Sequence, residues 1–507
     1  MDNIDHDVER LARNDEHIVA IQASLHALQG HQQHLVEENA KLRSNIAAKS
    51  VPNAPMRTLV VELCSLIFAF AVCANAEAKD AAVPECSPLD LAHVCRRWRS
   101  IVFDSPHLWT DLRVNLSKPR LNLIPFWFQN ASAVPLRVSV FPGIARPPIL
   151  TSSNPFKKVD PAGIKDLVPY LHRIQTLSLH VHQSALPLLF PRGTVSDMAQ
   201  LECLSIHHHG YILDEFEIGK IHAPRLRVLC LCDPSPFANM LFDSLAKLKV
   251  LRIDKIEFWE YPRRVPALLS SCVELKDVSI VFPRNLYLTG PDPVVLPLVS
   301  KLALEWRFPC NPTPIFSSVR APLLRDLTFT HNNPLASFSQ EAVTTLQDLI
   351  QSSPLLTTLT LVGSNLTSIC ELSSIFYHAP ALEELGLVNC HGTGRLLSDL
   401  SPAEWEQPST WLCPQLERIR LAGVRDNDVR SLISFVSRRM KPVDESLAGD
   451  GHFIKEVIID SRIQDFSTQG RMLILRGLSI ITPTVKVTGP LDHIHLASPF
   501  NSPVPKN

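Results

Sequence analysis

The chain has 507 residues, 45% hydrophobic and 20% charged, which supplies a large core and excludes global disorder. Lys and Arg number 49 against 50 Asp and Glu, a formal net charge of -1, so the basic surplus of a nucleic-acid binder is missing. Only 17 glycines against 41 prolines argue against phosphate-cradling loops and dinucleotide folds, while 71 leucines, about 14% of the chain, point to repetition.

The twelve cysteines are scattered. The one close pair, Cys230 and Cys232, lacks zinc-ligand spacing. The opening stretch 1–15 is polar and acidic, unlike a secretory signal, so reduced thiols in a cytoplasmic or nuclear protein are expected. The apolar run from Leu59 to Ala76 is interrupted by Glu62. The remainder falls short of the roughly 20 residues that span a bilayer, so a buried helix is expected and no membrane partner. No Walker loop, HExxH, nucleophile elbow or dinucleotide fingerprint occurs. The expectation is a non-catalytic protein without cofactor or metal.

In chain order, residues 1–49 read as one helix. Ile4, Leu11, Ile18, Leu25 and Ile46 fall on one column of a seven-residue repeat, with Gln32 and Asn39 as its polar members. Ile21, Leu28, Leu35 and Leu42 form a second column, and together the two are a and d positions of heptads. Two readings follow: a coiled coil with self-association through residues 4–46, or an amphipathic helix folded back on its own chain. Pro52 and Pro55 end this helix.

Residues 51–116 read as a small helical unit. Met56 to Cys73 is strongly apolar, 74–88 is a loop, and Leu89 to Phe103 is one helix ended by Ser105-Pro106. Val94, Trp98, Ile101 and Val102 fall at helical spacing on one face, predicted to be core. Pro106, His107, Leu108 and Trp109 follow as a short turn.

The residues Leu59, Glu62, Leu63, Ile67 and Phe68, then Val94-Cys95-Arg96-Arg97-Trp98, then Pro106-His107-Leu108-Trp109, resemble the F-box, and within it the large F-box families of mushroom-type fungi. Val60 departs from the pattern, standing where the family has proline. The resemblance implies that Leu59, Val60, Glu62, Leu63, Ile67, Phe68, Val94, Cys95, Trp98, Pro106, Leu108 and Trp109 form or support a surface for a Skp-type adaptor. Through that adaptor the chain would join a cullin ubiquitin ligase as its substrate-recognition subunit. The alternative is a protein-interaction scaffold whose degenerate F-box no longer binds the adaptor.

Residues 117–165 read as a proline-rich connector, with one short strand where Leu136, Val138 and Val140 alternate. From 166 to 490 a unit L-x-x-L-x-L recurs. Its middle positions are Leu177, Leu204, Leu229, Leu251, Val278, Leu302, Leu327, Leu359, Leu385, Ile419 and Val457. Three apolar residues per short strand cannot bury themselves, but stacked copies bury one continuous column. Helical pieces at 266–272, 342–353, 373–378 and 427–440 separate the strands. The Asn or Cys usual after such a strand survives only at Asn332 and Cys390, which predicts an irregular repeat. Residues 491–507 read as a disordered tail.

The expected fold class is therefore α/β: an N-terminal helix or coiled coil, a small all-α F-box, then an irregular leucine-rich-repeat solenoid of parallel short strands and helices. Residues flanking each middle position point away from the core onto a concave face. They nominate Arg252, Asp277, Lys301, Asp326, Glu384, Arg418 and Arg420 to hold an unidentified target protein. The same stacking sets His180 beside His207 and Cys232, and His182 beside His209. The reading at this cluster is a polar strand edge, because no ligand pair has recognised zinc spacing.

Overall fold

The computed structural model describes residues 2–50, 59–77, 87–116, 123–141, 161–209, 218–232, 245–254, 264–282, 294–306, 319–331, 340–366, 372–401, 411–423, 425–439, 454–460 and 485–488. The chain divides into two compact units, 1–108 and 109–507. Asn332 and the segment 491–507 lie outside the described residues.

In the first unit, helix α1 spans Asp2–Ser50 without interruption at Gly30. Every described side chain from 6 to 45 is exposed, so the folded-back reading is not realised among these residues. Helix α2 spans Val61–Glu77. The single helix expected over 89–103 is two: α3, Pro88–Val94, and α4, Arg96–Phe103. Cys95 separates them in an extended conformation, with φ -158° and ψ 169°, and its Sγ accepts the Trp98 N–H at 3.4 Å as the cap of α4. The break rotates Val94 out of the predicted core face, where it is exposed, while Ile101 and Val102 stay buried. Ser87 starts α3 with a reciprocal cap to Asp90, and Pro88 supplies a preset first helical residue.

The second unit is built on a 14-stranded sheet whose order follows the chain. Its strands are β1 Asp111–Asn115, β2 Leu136–Phe141, β3 Ile174–His182, β5 Cys203–His209, β7 Val228–Cys232, β8 Val250–Asp254 and β9 Asp277–Phe282. They continue as β11 Lys301–Trp306, β13 Asp326–His331, β14 Thr358–Val362, β15 Glu384–Val388, β16 Arg418–Ala422, β17 Glu456–Asp460 and β18 Val485–Thr488. All pairings in this sheet are parallel. The sheet thus begins at 111, and the strand expected at 136–140 is its second. Short strands β4 Val195–Asp197 and β6 Lys220–His222 pair separately, as do β10 Val294–Val295 and β12 Val319–Arg320.

The eleven middle positions align rung to rung from Leu177 to Val457. None exposes more than 2% of its surface. Each buried leucine contributes roughly 1.5–3 kcal/mol, and the neighbouring rungs supply its surroundings. The helical pieces appear at Arg264–Ser271, Gln340–Gln351, Leu372–Tyr377 and Asp426–Arg438.

Two recurring turns connect these parts. Before the strands, the N–H of Leu226, Leu324, Leu356, Leu382 and Leu416 returns to the carbonyl three residues earlier. Pro224, Pro322, Pro354, Pro380 and Pro414 take the second position of those turns, which proline's fixed φ suits. After β14, β15 and β16, Gly363, Asn389 and Gly423 occupy the left-handed region at φ 65°, 52° and 65°. Cys390 follows Asn389, and its thiol donates to the Leu361 carbonyl of the preceding rung at 3.3 Å. It therefore fills the bonding role expected of that position.

Candidate functional site

The first candidate surface lies on α2. This helix is apolar on nearly all sides, and such a helix must bury more than one face. Cys64 and Phe68 turn inward, Phe68 resting against Trp98 with ring centroids 4.7 Å apart. Phe68 thus does not share the surface of Leu63 and Ile67, as their common spacing suggests; it is core. Beneath the helix, the Ser65 hydroxyl meets the Ser105 hydroxyl at 2.9 Å and His107 Nε2 at 3.0 Å. The Arg97 guanidinium donates to the Leu59 carbonyl just before the helix starts.

Outward, the picture differs. Val60, Val61, Leu63, Leu66, Ile67 and Phe70 are all exposed, Phe70 at 68%. Glu62 and Cys95 are also exposed, and Leu59, Trp98 and Pro106 are half-buried. Leu108 is buried. Trp109, the first residue of the second unit, is fully buried, its ring edge-on to Phe126 at 5.5 Å and Trp127 at 5.0 Å. It braces the start of the sheet. Val61, Leu66 and Phe70 were missed by motif matching; the signal for them is the missing polar face of α2.

The second candidate surface is the outward strand face. In one column, cross-strand neighbours run Asp277, Lys301, Asp326, Thr358, Glu384, Arg418 and Glu456. Lys301 Nζ lies 3.1 Å from Asp326, and Arg418 Nε lies 3.1 Å from Glu384. Each cation stands between two carboxylates on adjacent rungs. Arg252 reaches Asp277 diagonally at 3.6 Å. Arg420 lies in the parallel column and is exposed. Between Arg252 and Arg420 that column holds Ser279, Ala303, Thr328, Thr360 and Gly386, so two arginines bound a floor of small side chains.

The His180 and His207 rings stack at 4.4 Å and 7°, and Cys232 follows His207 in register. Ser205 Oγ lies 3.0 Å from His207 Nε2, and Ser184 Oγ 2.9 Å from His182 Nδ1. His209 pairs with His182 through the backbone register. Among the described residues no three His, Cys, Asp or Glu converge as a metal site. The neighbouring thiols are poor ligands and nucleophiles: burial pushes Cys203 up to about 12 and Cys230 to about 11. No described helix is long and apolar enough to cross a membrane.

No protein-family model matches the chain, and no curated protein does. Among solved structures, the leucine-rich repeat-containing protein LegL7 from Legionella pneumophila is 12% identical, with a TM-score of 0.32 over 64% of this chain and 95% of that one. A Bacteroides fragilis protein is 12% identical, with a TM-score of 0.31 over 49% of this chain and 68% of its own. A TLR13–ssRNA13 complex gives 12% identity and a TM-score of 0.22 over 72% and 61%. The strand ladder itself makes the second unit a stack of parallel rungs, each built on the L-x-x-L-x-L unit or a close variant of it.

Proposed function

We propose that the chain is a non-catalytic receptor that joins a Skp-type adaptor, and through it a cullin ubiquitin ligase, to a target protein. The observation that carries this reading is the outward face of α2. Val60, just before the helix, and Val61, Leu63, Leu66, Ile67 and Phe70 on it stand in solvent, while the inner face of the helix is already satisfied by Phe68 and Trp98. A contiguous apolar patch of this kind marks a protein interface. The F-box resemblance of the same residues supplies the identity of the occupant. The strand face, with its charge ladder and small-residue floor, is the surface offered to the target. The role is proximity: a bound target is held near a ubiquitin-charged enzyme. Self-association through residues 4–46 belongs to the same reading.

Titration of the full chain with purified Skp-type adaptor by calorimetry tests it. Ile67→Asp should abolish binding while leaving the melting of the chain unchanged, because Ile67 is outward. Val60→Pro should tighten binding by a factor of a few. Position 60 immediately precedes α2, where proline's fixed φ suits the helix start. No binding by either native chain or Val60→Pro, with both folded, favours the scaffold.

A further inference from the structure

We infer that two copies of this chain pair along α1 as an antiparallel coiled coil, with its two-fold axis at residue 23. This rests on the self-association in the proposed function and gives it a geometry; it does not depend on the adaptor. Leu11, Ile18 and Leu25 at a, with Ile21, Leu28, Leu35 and Leu42 at d, expose between 43% and 68% of their surface. At 1.5 Å per residue α1 is about 70 Å long, and nothing among the described residues covers this stripe. Two copies meeting along it would bury on the order of 1,000 Å², the scale of a specific interface.

The register follows from where the polar members of the seam fall. In an antiparallel pair each a residue faces a d residue of the second copy. Centred on residue 23, Leu11 faces Leu35, Ile18 faces Leu28 and Leu25 faces Ile21. Gln32 then faces Asn14, and Asn39 faces Asp7, so the polar groups can hydrogen-bond each other and none is set in hydrocarbon. Each of these layers occurs twice by symmetry. Moving the pairing by one heptad sets Leu25 against Asn14 in one direction and Gln32 against Ile21 in the other. The centre also falls on a surface hollow lined by Ala20, Ile21, Ser24, Leu25 and Leu28.

The flanks agree. Antiparallel helices bring e beside e and g beside g. Val8 meets Val36, two exposed valines at e that gain an apolar neighbour. Arg10 meets Glu38 at g, an attractive pair near each end. No Asp, Glu, Lys or Arg at e or g meets one of like charge. A parallel pair also has attractive flanks, Arg10 with Asp15 and Glu38 with Arg43, but it sets Asp7 against Asp7 in the seam and Val36 beside His31. The antiparallel order has a consequence for the whole assembly. The Ser50 ends of the two helices stand about 80 Å apart, so the rest of each copy departs from its own end of the rod.

Light scattering and cysteine cross-linking of the full chain test the inference without any adaptor. The expected mass is twice 56.6 kDa. Leu25→Asp/Leu28→Asp should return the single-chain mass, with the unfolding of the repeat unit unchanged. Oxidised Asn14→Cys/Gln32→Cys should form a covalent dimer joined between positions 14 and 32, read by mass spectrometry of its peptides. Asn14→Cys alone and Gln32→Cys alone should cross-link no more than the native background. A native mass of one chain, or of more than two, overturns the inference. So does a dimer that survives the double aspartate variant, a single-cysteine variant that cross-links to itself, or a double-cysteine variant that does not cross-link. A failed adaptor titration beside the expected mass and cross-link would remove the ligase reading alone.

Discussion

Arg439 is fully buried yet charged, and its surroundings explain how. Its guanidinium lies over Trp411 at 5.1 Å and Phe435 at 5.2 Å, and donates to the carbonyls of Cys413 and Leu412. Cys413 stands in the left-handed region at φ 50°, so Arg439 fastens a strained turn from below. Burial lowers its pKa to about 10. Arg439→Met should preserve volume but leave two carbonyls without donors, a loss on the order of 1–3 kcal/mol in urea unfolding. The buried thiols give an opposite and larger alkaline signature. Burial raises Cys203 and Cys413 to about 12, and Cys230 and Cys390 to about 11. Above pH 9 the unfolded chain ionises these thiols while the folded chain does not. The unfolded state then holds fewer protons, and stability falls with rising pH. Arg439 works the other way above pH 10, one group against four. The urea midpoint should be lower at pH 10.5 than at pH 8, and the difference should shrink in Cys203→Ala/Cys230→Ala. Among the cysteines whose side chains are described only Cys95 is exposed, and at pH 8 it should react with a thiol reagent before the buried ones.

At the scale of elements, strand register was legible because a two-residue apolar period with leucine at its centre survives every insertion between rungs. Leu204 is the sharpest check. It is fully buried between Leu177 and Leu229. Leu204→Asp should unfold much of the repeat unit, whereas Arg420→Ala on the outward face should shift the melting temperature little. Similar circular-dichroism melts for the two would contradict the stacking. Other features were hidden. A cysteine capping α4 is not a usual start signal, so the break at Cys95 and the exposure of Val94 could not be read from periodicity. β1 is five residues following a helical motif, and its unit is disguised by Trp109 in place of the first leucine, with Leu112 and Val114 in the other two positions. The outward face of α2 and the role of Arg439 depend on which side chains lie underneath, a property of packing and not of spacing. The left-handed turns at Gly363, Asn389 and Gly423 were visible only as a loose Gly or Asn after three strands.

At the largest scale, the second unit is one parallel ladder with a single sequence of neighbours. Sheet order and chain order coincide for all 14 strands of the large sheet. During synthesis, then, each strand leaves the ribosome after the strand it will pair with, and none waits for a later one. The growing unit at every moment presents one open, freshly made edge. An open edge is a template for another chain, so the time spent at each rung is time at risk of aggregation. The last described rung covers the edge before it. β18 covers β17 along Val457–Asp460, and it is only four residues long. Removing it should leave the bulk of the ladder folded but uncover the Glu456–Asp460 edge, with Val457, Ile458 and Ile459 at its centre. A chain stopped after residue 461 should therefore retain the circular-dichroism signal of the repeat unit while scattering light at concentrations where the full chain stays clear. Translation rate through the last rungs, set by nothing in the folded structure, would then govern the yield of soluble protein.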